Sequence, residues 1–184
     1  MAQTYVALLR GINVGGNNII RMADLKHCFE SDLGFEDVAT LIQSGNVIFC
    51  AGRGSVPALT SAIEAGLSKR FGYRAAAVVL SRDAMTEVVT SAPKGFGSVL
   101  DKFRYDVIFL KPPLTARDAL RSISAQDGVD AVYRGKRAIY FSRLISKASQ
   151  SRLSKIASSP IHPLITIRDW NTTTKLLALM NRAG

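Results

Sequence analysis

The 184-residue chain is poor in the side chains that most chemistry uses: two cysteines, two histidines and one tryptophan. Cys28 and Cys50 are too few for a disulfide framework, and neither belongs to a Cys-x-x-Cys pair or a Cys/His cluster. They read as packing residues in a reducing compartment, which places the protein in the cytoplasm. His27 and Cys28 are adjacent, so on a helix they point in different directions and do not assemble a base with a nucleophile. His162, between Ile161 and Pro163, has no clustered carboxylate or thiol nearby in sequence. The expectation is therefore no metal, no cofactor and no recognisable catalytic constellation. No apolar run approaches the roughly 20 residues of a bilayer span, and the N-terminus leads straight into a strand pattern rather than a signal core. No membrane association is expected.

Acidic residues are scarce in one half only. Residues 1–92 carry eight Lys/Arg and eight Asp/Glu, whereas residues 93–184 carry 16 and 6, so the second half supplies the whole net charge of +10. From residue 131 onward, ten basic side chains face a single acid, Asp169. Such a field concentrates phosphates, nucleic acid or anionic surfaces near the protein, or it is a solvated face that keeps the chain dispersed.

What is present in quantity is apolar periodicity, since 47% of the residues are hydrophobic. Thr4 to Leu9 reads as a buried strand, and Met22, Leu25, Cys28, Phe29 and Leu33 as one helical face stopped by Gly34. Val38 to Gln43 and Asn46 to Cys50 flank Ser44-Gly45 as a hairpin. Ser55 caps a helix that buries Leu59, Ile63, Leu67 and Phe71 and ends at Gly72. A strand from Ala75 to Leu80 and a helix from Asp83 to Ser91 complete this half. The order then repeats: a strand from Arg104 to Leu110, a helix opened by Thr115 and Asp118, and strands Val129 to Tyr133 and Ala138 to Phe141. A basic segment with Leu153 and Ile156, a strand from Leu164 to Ile167 and a helix from Asn171 to Arg182 close the chain.

Each half is thus β-α-β-β-α-β plus an extra helix. The expected fold is α+β, with two ferredoxin-like halves related by duplication and antiparallel sheets of order 4-1-3-2. Ser81-Arg82-Asp83 and Ile167-Arg168-Asp169, at corresponding strand ends, carry a faint internal match of two residues, and the topology carries the inference. The expected subdomains are residues 1–92 and the basic 104–184, with 93–103, containing Pro93, Gly95 and Gly97, as linker.

Three strings then stand out: Ala7-Leu8-Leu9-Arg10-Gly11-Ile12-Asn13-Val14-Gly15-Gly16, Gln43-Ser44-Gly45-Asn46-Val47, and Arg168-Asp169-Trp170-Asn171-Thr172 with Thr174-Lys175-Leu176. Through them the chain resembles, over essentially its whole length, the bacterial family catalogued as domain of unknown function 1697. The resemblance implies an α+β fold with two related subdomains, and it implies no activity, cofactor or catalytic residue.

The loop after the first strand is the leading candidate site. Its glycines permit left-handed backbone and close approach of a ligand, and its amides and Arg10 suit an anion. Gly11-x-x-x-Gly15-Gly16 lacks the spacing and the lysine of a Walker A loop and is not Gly-x-Gly-x-x-Gly, so nucleotide hydrolysis is unsupported. Strand order 4-1-3-2 puts this loop beside the hairpin, so Arg10, Asn13, Gly15, Gly16, Asn17, Gln43, Ser44 and Asn46, with Asn18, are expected on one rim that binds a small phosphate- or carboxylate-bearing ligand. The competing reading makes the glycines a tight connection and the asparagines local caps for backbone groups.

Two further readings concern the basic half. Arg134, Lys136, Arg137, Arg143, Lys147, Arg152 and Lys155 offer nonspecific, salt-sensitive contact with nucleic acid, although the aromatic platform of RNA-recognition modules is missing. The same segment alternatively marks a protein-interaction module. Asp169 or Asn171 is expected to cap the last helix over Trp170; flanked by Arg168 and Lys175, that terminus otherwise reads as a second anion site. Nothing in the pattern sets an oligomeric state.

Overall fold

The computed structural model describes residues 2–52 and 54–183. Its elements, in chain order, are β1 (Gln3–Arg10), α1 (Met22–His27), β2 (Glu36–Leu41), β3 (Asn46–Ala51), α2 (Val56–Phe71), β4 (Ala76–Ser81), α3 (Arg82–Thr90), β5 (Phe103–Leu110), α4 (Ala116–Leu120), β6 (Asp130–Arg134), β7 (Ala138–Leu144), β8 (Ile165–Asp169) and α5 (Trp170–Met180). The fold is mixed α and β with two four-stranded antiparallel sheets, ordered β2-β3-β1-β4 and β6-β7-β5-β8. Two compact units divide the chain: Met1–Met85 with Leu176–Gly184, and Thr86–Lys175.

In the first unit β1 is a central strand, and Thr4 through Leu9 are all buried. A strand covered on both faces has no reason to alternate apolar with polar residues, which is why Tyr5 to Leu9 is uninterrupted. Tyr5, Ala7 and Leu9 join Leu25, Phe29, Phe49, Ile63 and Leu67 in one core. Helix α2 begins where the Ser55 hydroxyl accepts the Ala58 N–H, and it ends at Gly72 in the left-handed conformation. Helix α1 widens over Cys28–Asp32 into a π-helical turn before Gly34.

The second unit builds its core from Ile108, Leu110, Ile139, Phe141, Ile165 and helix α4, with Leu153 and Ile156 pressed onto it. Both lie in the second of two short 3₁₀ turns, Ile145–Gln150 and Leu153–Ser158, where sequence periodicity suggested one amphipathic segment. Thr115 caps α4 as expected, accepting the Asp118 N–H at 3.2 Å. Phe96, from the stretch expected to be a linker, makes edge contacts with Tyr105, Tyr140 and Trp170 at ring-centre distances of 4.8, 5.4 and 5.2 Å.

Candidate functional site

Eleven residues, Gly11 to Arg21, connect β1 to α1, and five of them have positive φ: Gly11, Asn13, Gly15, Gly16 and Asn18. Glycine adopts this conformation without cost and asparagine with little, so the composition of the loop follows from its path. Val14 and Asn17 pair as a one-bridge hairpin, the Asn17 N–H donating to the Val14 carbonyl at 3.1 Å. Positive φ at both Gly15 and Gly16 between them is the type I′ turn. The amides of these two glycines are exposed and make no hydrogen bond to another described residue.

Asn13 fixes the base of this projection. Its Nδ2 donates to the carbonyls of Ile20 at 3.0 Å and Gln43 at 2.9 Å, while its Oδ1 accepts the Ile20 N–H at 2.8 Å. One side chain thereby closes the loop on itself and ties it to the β2–β3 hairpin. Asn18 adds a bond from Nδ2 to the Gly11 carbonyl at 2.8 Å. The hairpin approaches the other way too, since the Leu9 N–H donates to the Gly45 carbonyl at 2.8 Å. A Cβ on Gly45 would lie 2.7 Å from Ile12 Cδ1 and 2.9 Å from Leu9 Cβ, and its φ is +76°, so both space and backbone require glycine.

The loop and hairpin are therefore neighbours, in keeping with the strand order. Their polar side chains divide into two groups. Asn46 is fully buried and its Nδ2 reaches the Leu41 carbonyl and the Ser44 hydroxyl, both at 3.0 Å. Asn13 and Asn46 thus brace the edge, and the turn spans Ile42–Gly45 because Asn46 holds the Leu41 carbonyl and ends β2 there. Gly15, Gly16, Asn17 and Gln43 are exposed, and Ser44 is half-buried. Arg10, half-buried at the end of β1, has its pKa lowered by desolvation. Together these groups supply hydrogen-bond donors and positive charge.

The basic residues of the second unit are arranged differently. Lys136 and Arg137, at the β6–β7 turn, both pair with Glu87, Lys136 at 2.8 Å. The two cations hold the Glu87 carboxyl below the usual carboxylate range. Arg143 lies 3.6 Å from Asp106, whose pKa is raised by burial, and Arg152 donates to Gln126 Oε1 at 3.1 Å. Arg134, Lys147 and Lys155 are exposed.

At the start of α5, the Asp169 carboxylate accepts the Thr172 N–H at 2.8 Å and the Thr172 hydroxyl at 2.7 Å, so the helix terminus already holds an anion of its own. Arg168 is buried, donates to the Thr166 hydroxyl at 2.8 Å, and has its pKa pushed down to about 10 by desolvation. Cys28 and Cys50 are free and buried, and burial raises the Cys28 thiol to about 11, which makes it a poor nucleophile. Sequence reasoning missed Glu87 as the partner of the basic turn. It also missed Ile42, whose φ of +50° a β-branched residue rarely adopts.

Similarity to other proteins adds identity to this geometry. One solved structure, that of the conserved bacterial protein SP0830 from Streptococcus pneumoniae, aligns with a TM-score of 0.85 at 26% identity, covering 98% of this chain and 99% of that one. A search of curated proteins gave no match. Among the described residues no helix is long and apolar enough to cross a membrane. Residues 2–140, which include the whole loop and hairpin, match the family described as protein of unknown function DUF1697, and the chain belongs to that family.

Proposed function

We propose that the protein is a binding protein whose recognition edge is the β1–α1 loop with the β2–β3 hairpin, and that it takes a small phosphate- or carboxylate-bearing ligand there. The observation that carries this reading is the length and construction of the loop. The corresponding exit from β5, in a sheet of the same strand order, reaches α4 in the five residues Lys111–Thr115. A connection alone needs no eleven residues, five left-handed positions or an asparagine clamp. Gly15 and Gly16 amides, Asn17, Gln43, Ser44 and Arg10 are the ligand-facing groups; Asn13 and Asn46 position them. A thermal-shift screen of nucleotides, sugar phosphates and carboxylates tests it. A stabilising compound whose effect is lost in Arg10→Ala is expected, and a screen without such a compound overturns the reading.

Nucleic-acid binding by the basic half has less support, because Lys136, Arg137 and Arg143 have carboxylate partners within the second unit. For the architecture, we propose two ferredoxin-like halves related by duplication, residues 1–92 and 104–184, joined by 93–103. The identical order of the two sheets supports this. Two free buried thiols support a cytoplasmic setting.

A further inference from the structure

Each four-stranded sheet has two edge strands, and an edge strand offers a row of backbone donors and acceptors to any extended partner. Strands β4 and β8 are buried over most of their length. Strand β2 is interrupted: its register with β3 shifts between Glu36 and Ala39, and Asp37 has a φ of +50°. Such a bulge spoils the edge as a template. Strand β6 has no such defence. Its residues from Asp130 to Arg134 pair with β7 in unbroken register, and they include no proline or lysine.

The two ends of the β6–β7 ladder fix which backbone groups point outward. The Gly135 N–H donates to the Ala138 carbonyl and the Leu144 N–H to the Val129 carbonyl, so the odd-numbered residues of β6 bond to β7. Asp130, Val132 and Arg134 turn their N–H and C=O groups the other way. The Asp130 N–H is taken by the Gln126 carbonyl at 2.8 Å, whereas the backbone groups of Val132 and Arg134 bond to no other described residue.

The sequence of this edge is complementary to itself. An antiparallel copy related by a two-fold axis at Val132 sets Asp130 opposite Arg134, Ala131 opposite Tyr133, and Val132 opposite Val132. Arg134 is exposed and makes no ion pair among the described residues. Asp130 accepts the backbone N–H groups of Gln126 and Arg152 through Oδ2, both at 2.9 Å, and its Oδ1 makes no hydrogen bond. Arg143, opposite Asp130 in β7, is turned to Asp106 at 3.6 Å, so the Asp130 charge is not spent on it. Tyr133 is 45% exposed, and the small Ala131 opposite leaves room for its ring.

We infer that β6 is a self-association edge: two copies of this chain pair their β6 strands antiparallel about Val132 and join two four-stranded sheets into one of eight strands. The Val132 N–H donates to the Val132 carbonyl of the second copy, and the Arg134 N–H to the Asp130 carbonyl of the second copy, each bond made twice by the symmetry. Any other extended partner has to bring a base, a large ring, a small residue and an acid at the same spacing, whereas a second copy brings them by construction. The contact is independent of the anion-binding reading, which concerns the first unit.

Sedimentation equilibrium of the full chain, from micromolar to near-millimolar concentration, measures the association. A reversible monomer–dimer equilibrium is expected, and a chain that stays monomeric throughout overturns the inference. Arg134→Asp sets like charges opposite one another twice per dimer and is expected to raise the dimer Kd about tenfold or more. Its Tm in the dilute, monomeric range should not change, because Arg134 is exposed. Disulfide trapping reads the register. Ala131→Cys and Tyr133→Cys chains, mixed and oxidised, are expected to cross-link to each other. Neither should cross-link to itself, since the symmetry sets like positions roughly 8 Å apart, beyond the about 7 Å between Cα atoms that a disulfide spans. Cys28 and Cys50 are buried, and the wild-type chain is the control for them. A dimer that Arg134→Asp leaves unchanged, a mixture that does not cross-link, or cross-linking of either chain to itself as readily as to the other puts the contact elsewhere and overturns the inference.

Discussion

The exits from β1 and β5 begin from corresponding central strands and end at a helix, yet they are built on opposite principles. Lys111–Thr115 is short and carries Pro112 and Pro113, which restrict the backbone by themselves. Gly11–Arg21 is long, rich in the residue with the greatest conformational freedom, and is held by Asn13, Asn18 and the neighbouring hairpin as well as by its own Val14–Asn17 bridge. A loop that must be rigidified from outside has a shape chosen for its own sake. The two hairpins differ in the same sense. The Ile42–Gly45 turn leans on the buried amide of Asn46 and leaves Ile42 outside, whereas the β6–β7 turn keeps its cations outside and neutralises two of them with Glu87.

The largest test of this contrast lies in the glycines. Gly45→Ala combines left-handed strain with a clash against Ile12 and Leu9, so it should cost about 3 kcal/mol in urea denaturation. Gly16→Ala meets nothing within 4 Å and should cost only about 1 kcal/mol, from the backbone alone. Equal costs would make the tip as structural as its base and erase the distinction drawn between them. Asn13→Ala comes next. It orphans the Ile20 N–H and two carbonyls in partly exposed surroundings, for a loss of about 2 kcal/mol, with faster amide hydrogen exchange at Ile20 as the local signature. Unchanged exchange there would mean that the loop is ordered without its clamp.

The smallest effect on stability belongs to Glu87→Gln. The folded-state pKa of Glu87 lies below its unfolded value, so its contribution is present above the unfolded value and disappears as pH falls through the folded one. The stability difference between wild type and Glu87→Gln should therefore shrink on acidification. The same substitution releases Lys136 and Arg137, and elution from a DNA column should move to higher salt. Elution at an unchanged position would show that the turn takes no part in polyanion contact.

How much of this was legible in the sequence follows from the range of each interaction. Ser55 with Gly72, and Thr115 with Asp118, are signals within a few residues of the backbone they satisfy, and those helix ends fell where expected. Adjacency of the loop and hairpin was also legible, because strand order is set by apolar patterning and loop lengths. The direction of the asparagines was not. Asn13 and Asn46 find partners in Gln43 and Leu41 only once the sheet exists, and no local pattern distinguishes a bracing amide from one offered to a ligand. Glu87 lies fifty residues from Arg137, and the ring contacts of Phe96 likewise join residues far apart in the chain. Ile42 was hidden for the opposite reason, since propensity assigns it to the strand that Asn46 ends before it.

The first unit is discontinuous in the chain: everything from Thr86 to Lys175 lies between its two pieces. The Thr4 hydroxyl donates to the Ala183 carbonyl at 2.6 Å, joining residues 179 positions apart. Closing a loop of that length carries nearly the largest entropic cost available to the chain, and the second unit, continuous in sequence, has no such debt. Assembly is therefore biased toward completing the inserted unit first and stitching the outer one last. A permuted chain opened between the units and joined near Thr4 and Ala183 would make both units continuous in sequence and remove that bias.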